Sequence, residues 1–192
     1  MVKRKSAKLE NSLMTMAYFK DLSDYRYHEA GFHRPRAKNI GWLAAGTPFQ
    51  KSAPSNDFLD ALWRYCKVSV AQMRGMHDCE ICPKEIAHKC AFVEKDYETL
   101  LLGSAEIRVF SENGVIFAAP TLIYHYVTAH HYQPPEAFMT ALFKSVGPPD
   151  PEYFESLQKI GLEWGSTASP PEPPNRYGAV KDASGVVRRE EV

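Results

Sequence analysis

Between Asn56 and Lys67 the apolar residues Phe58, Leu62, Trp63 and Cys66 recur at spacings of three and four, which places them on one face of a helix. Asn56-Asp57 supplies the polar start that helices favour. Val68 to Met73 then reads as a short strand running into Gly75. Cys90 to Glu94 and Thr99 to Phe110 are strand-like, and Asn113-Gly114 before Val115-Ile116-Phe117-Ala118 signals a two-residue hairpin. In that register Phe110 stands opposite Phe117, a favourable aromatic cross-strand pair. Pro120 fits the first turn of the next helix, where its missing N–H would be unpaired anyway. That helix carries Leu122, Ile123, Tyr126 and Val127 and runs to about His130. Gln133-Pro134-Pro135-Glu136 breaks the chain and starts another, with Phe138, Ala141 and Leu142 inward. A last helix, Glu152 to Gly161, turns Phe154, Leu157 and Ile160 inward. The order of elements predicts an α+β fold, a small antiparallel sheet with packed helices.

The periodicity stops at both ends. Residues 1–15 are polar and basic and read as a flexible N-terminal arm. Residues 166–192 hold Pro170, Pro171, Pro173 and Pro174 and then a stretch rich in Gly, Ser and charge. Such a tail buries too little apolar surface to offset its ordering entropy and is expected to be disordered. Residues 16–165 are expected to be a single domain, and 44% hydrophobic residues with ten Phe and ten Tyr suffice for its core.

Charge narrows the partners. With 23 basic and 23 acidic residues the chain has no basic excess, which argues against general nucleic-acid binding or a grip on anionic lipid. The one basic run, Lys3, Arg4, Lys5 and Lys8, lies in the arm. No apolar run approaches the ~20 residues that span a bilayer. The stretch Leu13 to Phe19 ends in Lys20-Asp21 without the small-residue cleavage site of a signal peptide. A cytoplasmic protein with no membrane role is the expectation, and there thiols stay reduced. Its four cysteines then read as ligands or core residues, not as a disulfide framework.

Two of them are spaced to share a metal. Cys79-Glu80-Ile81-Cys82 is a C-x2-C pair followed at once by Pro83, and His125 and His130 stand at H-x4-H. A soft thiolate pair with two imidazoles suits tetrahedral Zn2+ and not Mg2+ or Ca2+. The 42 residues between Cys82 and His125 are no objection. Closing a loop that long costs about 1 kcal/mol more than closing a ~12-residue one, whereas structural zinc returns ~10–16 kcal/mol. His125 ranks first for the third and fourth corners, then His130, then His77. On an ideal helix His125 and His130 lie about 140° apart, so both reach one metal only if the last turn loosens before His131. The competing role for His130 is a core histidine bonded to a carbonyl. His131 points to solvent, and His88, between Ala87 and Lys89, has no supporting neighbours. Cys66 on its helix face and Cys90 in its strand read as small buried hydrophobes.

Several motifs together resemble a family of small bacterial proteins of unknown function that contain a zinc knuckle. They are Tyr18-Phe19-Lys20-Asp21-Leu22-Ser23 with Tyr25 and Tyr27, Asn39-Ile40-Gly41-Trp42-Leu43, and Arg74-Gly75-Met76-His77-Asp78-Cys79 to Cys82. Leu102 to Val109 follows, then Ala119-Pro120-Thr121-Leu122-Ile123 leading through His125 and His130 to Pro134, Pro135 and Phe138. The resemblance covers about residues 16–145 and implies a bacterial origin. It brings no activity with it.

Two function classes remain. In the first, a Cys2His2 zinc is structural, and the protein works by binding a macromolecular partner, expected to be a protein, in a regulatory or immunity-like role. The alternative is a zinc-dependent hydrolase or nuclease, which needs an open metal corner and a nearby base. Asp78, Glu80 and Glu106 are its candidate carboxylates, with Arg108 to hold an oxyanion. The deaminase signature fails, because no H-x-E precedes the cysteine pair. A thiol oxidoreductase would want the pair at a helix start in a β-α-β unit, which the surrounding pattern does not make. The expected site is thus one zinc held by Cys79, Cys82, His125 and His130, with no catalytic residue assigned.

Overall fold

The computed structural model describes residues 18–26, 37–166, 168–169, 177–181 and 187–191. In chain order the elements are β1 (Ala37–Asn39), α1 (Asn56–Cys66), β2 (Val68–Val70) and α2 (Lys84–Ala87), which passes into a 3-10 turn, His88–Ala91. Then come β3 (Phe92–Lys95), β4 (Glu98–Leu101), β5 (Glu106–Phe110), β6 (Ile116–Pro120), α3 (Ile123–His130), α4 (Glu136–Lys144) and α5 (Pro151–Lys159). The last strands are β7 (Trp164–Ser166), β8 (Ala168–Ser169), β9 (Tyr177–Lys181) and β10 (Val187–Glu191). The class is α+β, as expected.

The sheet differs from the expected small antiparallel one. Five strands run in the order β1-β6-β5-β2-β7, and β1 lies parallel to β6, so the sheet is mixed. A three-residue strand carries no period for a sequence to display, which is why β1 was not foreseen. A second sheet orders β3-β4-β8, and β9 pairs with β10 as a hairpin. The arm 1–15 and the four tail prolines lie outside the described residues. Within 166–192, Ser166 ends β7 and pairs with Val68, and β8 pairs with β4.

Four local details correct the expectations. Helix α1 is capped by Ser55, one residue earlier than expected, whose Oγ accepts the Phe58 N–H at 3.2 Å. The hairpin after β5 has three turn residues, not two: Ser111 pairs with Val115 and Gly114 takes φ +80°. Phe110 therefore faces Ile116, and Phe117 faces Val109. The extra residue shifts the register because a left-handed glycine after a tight turn closes a bulged hairpin. The strand expected from Thr99 to Phe110 breaks between β4 and β5 at Gly103, which takes φ +94°. Pro120 ends β6 opposite Glu106 instead of opening the helix. Thr121 follows, its Oγ1 donating to Ala105 O and accepting from Gly103 N, and α3 starts only at Ile123.

The core lies between one sheet face and the helices. Ile107, Val109, Phe117 and Ala119 alternate toward Leu62 of α1, Ile123 and Val127 of α3 and Phe138 of α4. Phe117 and Phe138 meet edge to face at 5.9 Å. On the other face Ala37, Ile116 and Ala118 are covered by Tyr25, Phe110 and Ile160. Helix α5 buries Tyr153 and Leu157, while Phe154 and Ile160, expected inside, are half-buried. The Tyr153 hydroxyl donates to Arg108 O at 2.9 Å, which turns that residue inward. No described helix is long and apolar enough to cross a membrane.

Candidate metal centre

The loop that carries the cysteines is held by backbone contacts. After β2, Met73 N–H donates to Ser104 O at 2.7 Å, and His77 N–H donates to Gly103 O at 2.9 Å. A Cβ on Gly103 would stand 2.5 Å from His77 O, so only glycine lets the two backbones meet. Gly103 N–H in turn donates to Thr121 Oγ1 at 3.0 Å, two residues before α3. The loop is thereby tied to the start of the histidine helix. Beyond His77 the N–H groups of Ile81 and Cys82 turn toward Cys79 Sγ, the arrangement expected of a thiolate knuckle.

Helix α3 presents the histidines from the core. Ile123 to Val127 are all buried, His125 included. The last turn is wide. His131 N–H and Tyr132 N–H both bond to Tyr126 O, spanning five and six residues instead of four. His131 takes the left-handed conformation at the end, φ +57°. The Thr128 hydroxyl donates to Tyr124 O and lies 3.2 Å from His125 O, a side-chain contact that bends helices. This is the loosening that a shared metal requires. The two imidazoles stand nearly perpendicular, at 84°, with centroids 5.0 Å apart.

Loop and helix bring Cys79, Cys82, His125 and His130 together, with one donor atom from each within 4.8 Å of the others. Cys79 Sγ lies 3.3 Å from His130 Nε2, and Cys82 Sγ lies 3.4 Å from His125 Nε2 and 3.3 Å from His130 Nε2. Around tetrahedral zinc, a ~2.3 Å Zn–S and a ~2.0 Å Zn–N bond put sulfur and nitrogen about 3.5 Å apart. The observed edges are within a few tenths of that value. The cluster fits a metal ion in donor type, number and spacing.

Burial sets the protonation of the cluster. It pushes the Cys79 and Cys82 thiols above the ordinary thiol value. Burial first, and then the His130 ring, lowers His125 to about 4, and burial lowers His130 as well. Two neutral imidazoles and two thiols result, so a divalent cation that binds displaces the two thiol protons.

His77 is absent from the quartet, and its backbone rather than its ring ties the loop. His131 is exposed, as expected, His88 is exposed too and stands outside the quartet, and Cys66 is fully buried. Cys90 departs from the expectation. It sits in the 3-10 turn and not in a strand, is only half-buried, and its Sγ stands 3.2 Å from Cys82 Sγ. Eight residues separate the two cysteines, and α2 with its turn folds that stretch back on itself. No periodicity signalled the fold-back.

Of the carboxylates considered for catalysis, Glu106 is engaged away from the quartet. Arg108 Nη1 donates to Glu106 Oε2 at 2.7 Å, both side chains being at most 3% exposed. The Tyr25 hydroxyl donates to Glu106 Oε1 at 2.8 Å. Arg108 pairs across the sheet with Ala118, so this network shares the face covered by Tyr25, away from the helices. Glu80 Oε2 accepts from Ala45 N at 3.4 Å, and Asp78 is exposed.

Residues 17–143, more than half of the chain, match the family model described as "Domain of unknown function (DUF7919)", and the chain belongs to that family. Both halves of the quartet fall inside the matched stretch. No curated protein and no solved structure matches the chain.

Proposed function

We propose that the quartet holds one structural Zn2+ and that the protein works by binding a macromolecular partner, a protein in a regulatory or immunity-like role. One observation carries the reading: Cys79, Cys82, His125 and His130 supply four donors at tetrahedral spacing. Four protein ligands close a zinc site, whereas a catalytic zinc keeps one position for water. The chemistry of the metal is then to hold loop to helix. Its two thiolates and two neutral imidazoles favour a borderline-soft cation over Mg2+ or Ca2+. The engagement of Glu106 with Arg108 and Tyr25 also removes that carboxylate as a base for the metal.

Affinity capture of the full chain from its native host, combined with metal analysis and a hydrolase screen, tests the reading. The expected result is about one zinc per chain, a specific captured protein and no zinc-dependent turnover. Turnover lost on chelation, with no partner recovered, would reverse the assignment in favour of a hydrolase or nuclease.

A further inference from the structure

Cys82 has a sulfur neighbour outside the metal quartet. The Cys90 thiol lies 3.2 Å from Cys82 Sγ and donates there, with Ile86 O a second acceptor at 3.3 Å. Exposure separates the four cysteines into two kinds. Cys66 and Cys79 are 0% and 1% exposed, whereas Cys82 and Cys90 are both partly exposed. The two that touch are thus also the two that a small solute reaches. A disulfide needs its sulfurs at about 2.05 Å, a closure of little more than 1 Å from the observed contact.

We propose that Cys82 and Cys90 form an oxidation site that takes hydrogen peroxide and competes with the metal for Cys82. The consequence for the metal rests on the zinc reading above, but the disulfide requires only the two thiols. In the first step the Cys82 sulfur attacks one peroxide oxygen. An S–O bond forms, the O–O bond breaks, and the leaving hydroxide takes up a proton as water. The Cys90 sulfur then attacks the Cys82 sulfenic sulfur. The S–S bond forms, the S–O bond breaks, and the oxygen leaves with the Cys90 proton as a second water. Two thiols lose two electrons in all, and one peroxide is reduced to two waters. Cys82 can no longer ligate, and a quartet reduced to three donors, one of its two thiolates gone, holds the metal more weakly and releases it to a competing chelator. Cys90 suits the resolving role because it contacts Cys82 without belonging to the quartet.

Peptide mapping of the full chain tests this. Purified protein is treated with hydrogen peroxide, its remaining thiols are alkylated, and it is digested with trypsin without reduction while a dye follows released zinc. Trypsin leaves Cys79 and Cys82 together in 75–84 and Cys90 in 90–95. The expected product is 75–84 linked to 90–95, with fragmentation placing the bond on Cys82 and zinc release rising in step. Cys66 stays unoxidised and is recovered in its alkylated form. Cys90→Ser and Cys90→Ala should keep their zinc, yield no linked peptide and release metal more slowly at equal peroxide. Because two variants are read against the wild-type map, misfolding of one does not decide the matter. A loop closed within 75–84, a bond from Cys90 to Cys79, or sulfinic acid at Cys82 without the linked peptide would overturn the proposal. If the protein carries no zinc and the linked peptide still forms, the thiol pair stands and the metal reading falls.

Discussion

His125 and His130 stand on α3, where five consecutive residues from Ile123 to Val127 are buried. Cys79 and Cys82 stand on the loop 71–83, in which Cys79 is the one buried residue. Apolar packing therefore positions the His125 imidazole without a metal, while His130 follows in the half-buried last turn. The thiol loop is held by two backbone hydrogen bonds, the close approach of His77 to Gly103, and the burial of Cys79 against the core. A metal that joins a packed helix to a loop with one buried residue should matter most to the loop. That asymmetry can be broken or sharpened by experiment.

The largest effect is expected from the thiols. Metal binding of ~10–16 kcal/mol matches or exceeds the ~5–15 kcal/mol net stability of an ordinary domain. Cys82→Ser should therefore abolish the cooperative melting transition or lower it by tens of degrees, as followed by circular dichroism. An unchanged melting curve would mean that the quartet does not hold the fold. Gly103→Ala comes next, since it forces a Cβ to 2.5 Å from His77 O at φ +94°. It should cost about 2–4 kcal/mol in denaturant unfolding and weaken zinc binding as well, because the loop moves with it. A loss of stability at unchanged zinc affinity would uncouple Gly103 from the loop.

Acid should act through the thiols first. Burial raises both thiols and lowers His125 to about 4, so from pH 8 to 6 the two thiol protons compete with metal. Zinc affinity should fall by about two decades per pH unit as pH drops, read by competition with a chelator. The His125 contribution has its own sign. Its lowered value favours the neutral ring in the fold, so that stability is complete above 6.5 and is lost as pH falls toward 4. A slope near one decade would leave one cysteine outside the site. The smallest effect belongs to the helical body: Ser55→Ala removes the α1 cap and should cost about 1 kcal/mol, equally with and without zinc. A cost that depends on zinc would mean that the body and the loop are more tightly coupled than their packing suggests.

What the sequence made legible follows the same division. Helix α1 and the inward Phe138, Ala141 and Leu142 of α4 were readable because burial imposes a period on the chain. The C-x2-C and H-x4-H spacings were readable because one small ion demands close donors. Contacts made by chain reversal leave no period. Cys90 meets Cys82 through a short helix and a 3-10 turn, and β1 meets β6 across most of the domain. The Phe110–Phe117 pair was missed by one residue, because Asn-Gly announces a turn but not its length. The wide last turn of α3 was deduced from the need to join two histidines 140° apart. The bonds that form it, from His131 and Tyr132 N–H to Tyr126 O, and the Thr128 bond to Tyr124 O beside them, are written in no motif.

Anomalous diffraction at the zinc edge, from crystals of protein purified without chelator, bears most directly on the account. The predicted result is one peak bonded to Cys79 Sγ, Cys82 Sγ, His125 Nε2 and His130 Nε2, with sulfur at about 2.3 Å, nitrogen at about 2.0 Å and no solvent ligand. A water in place of any of the four, or no peak among these residues, would contradict it.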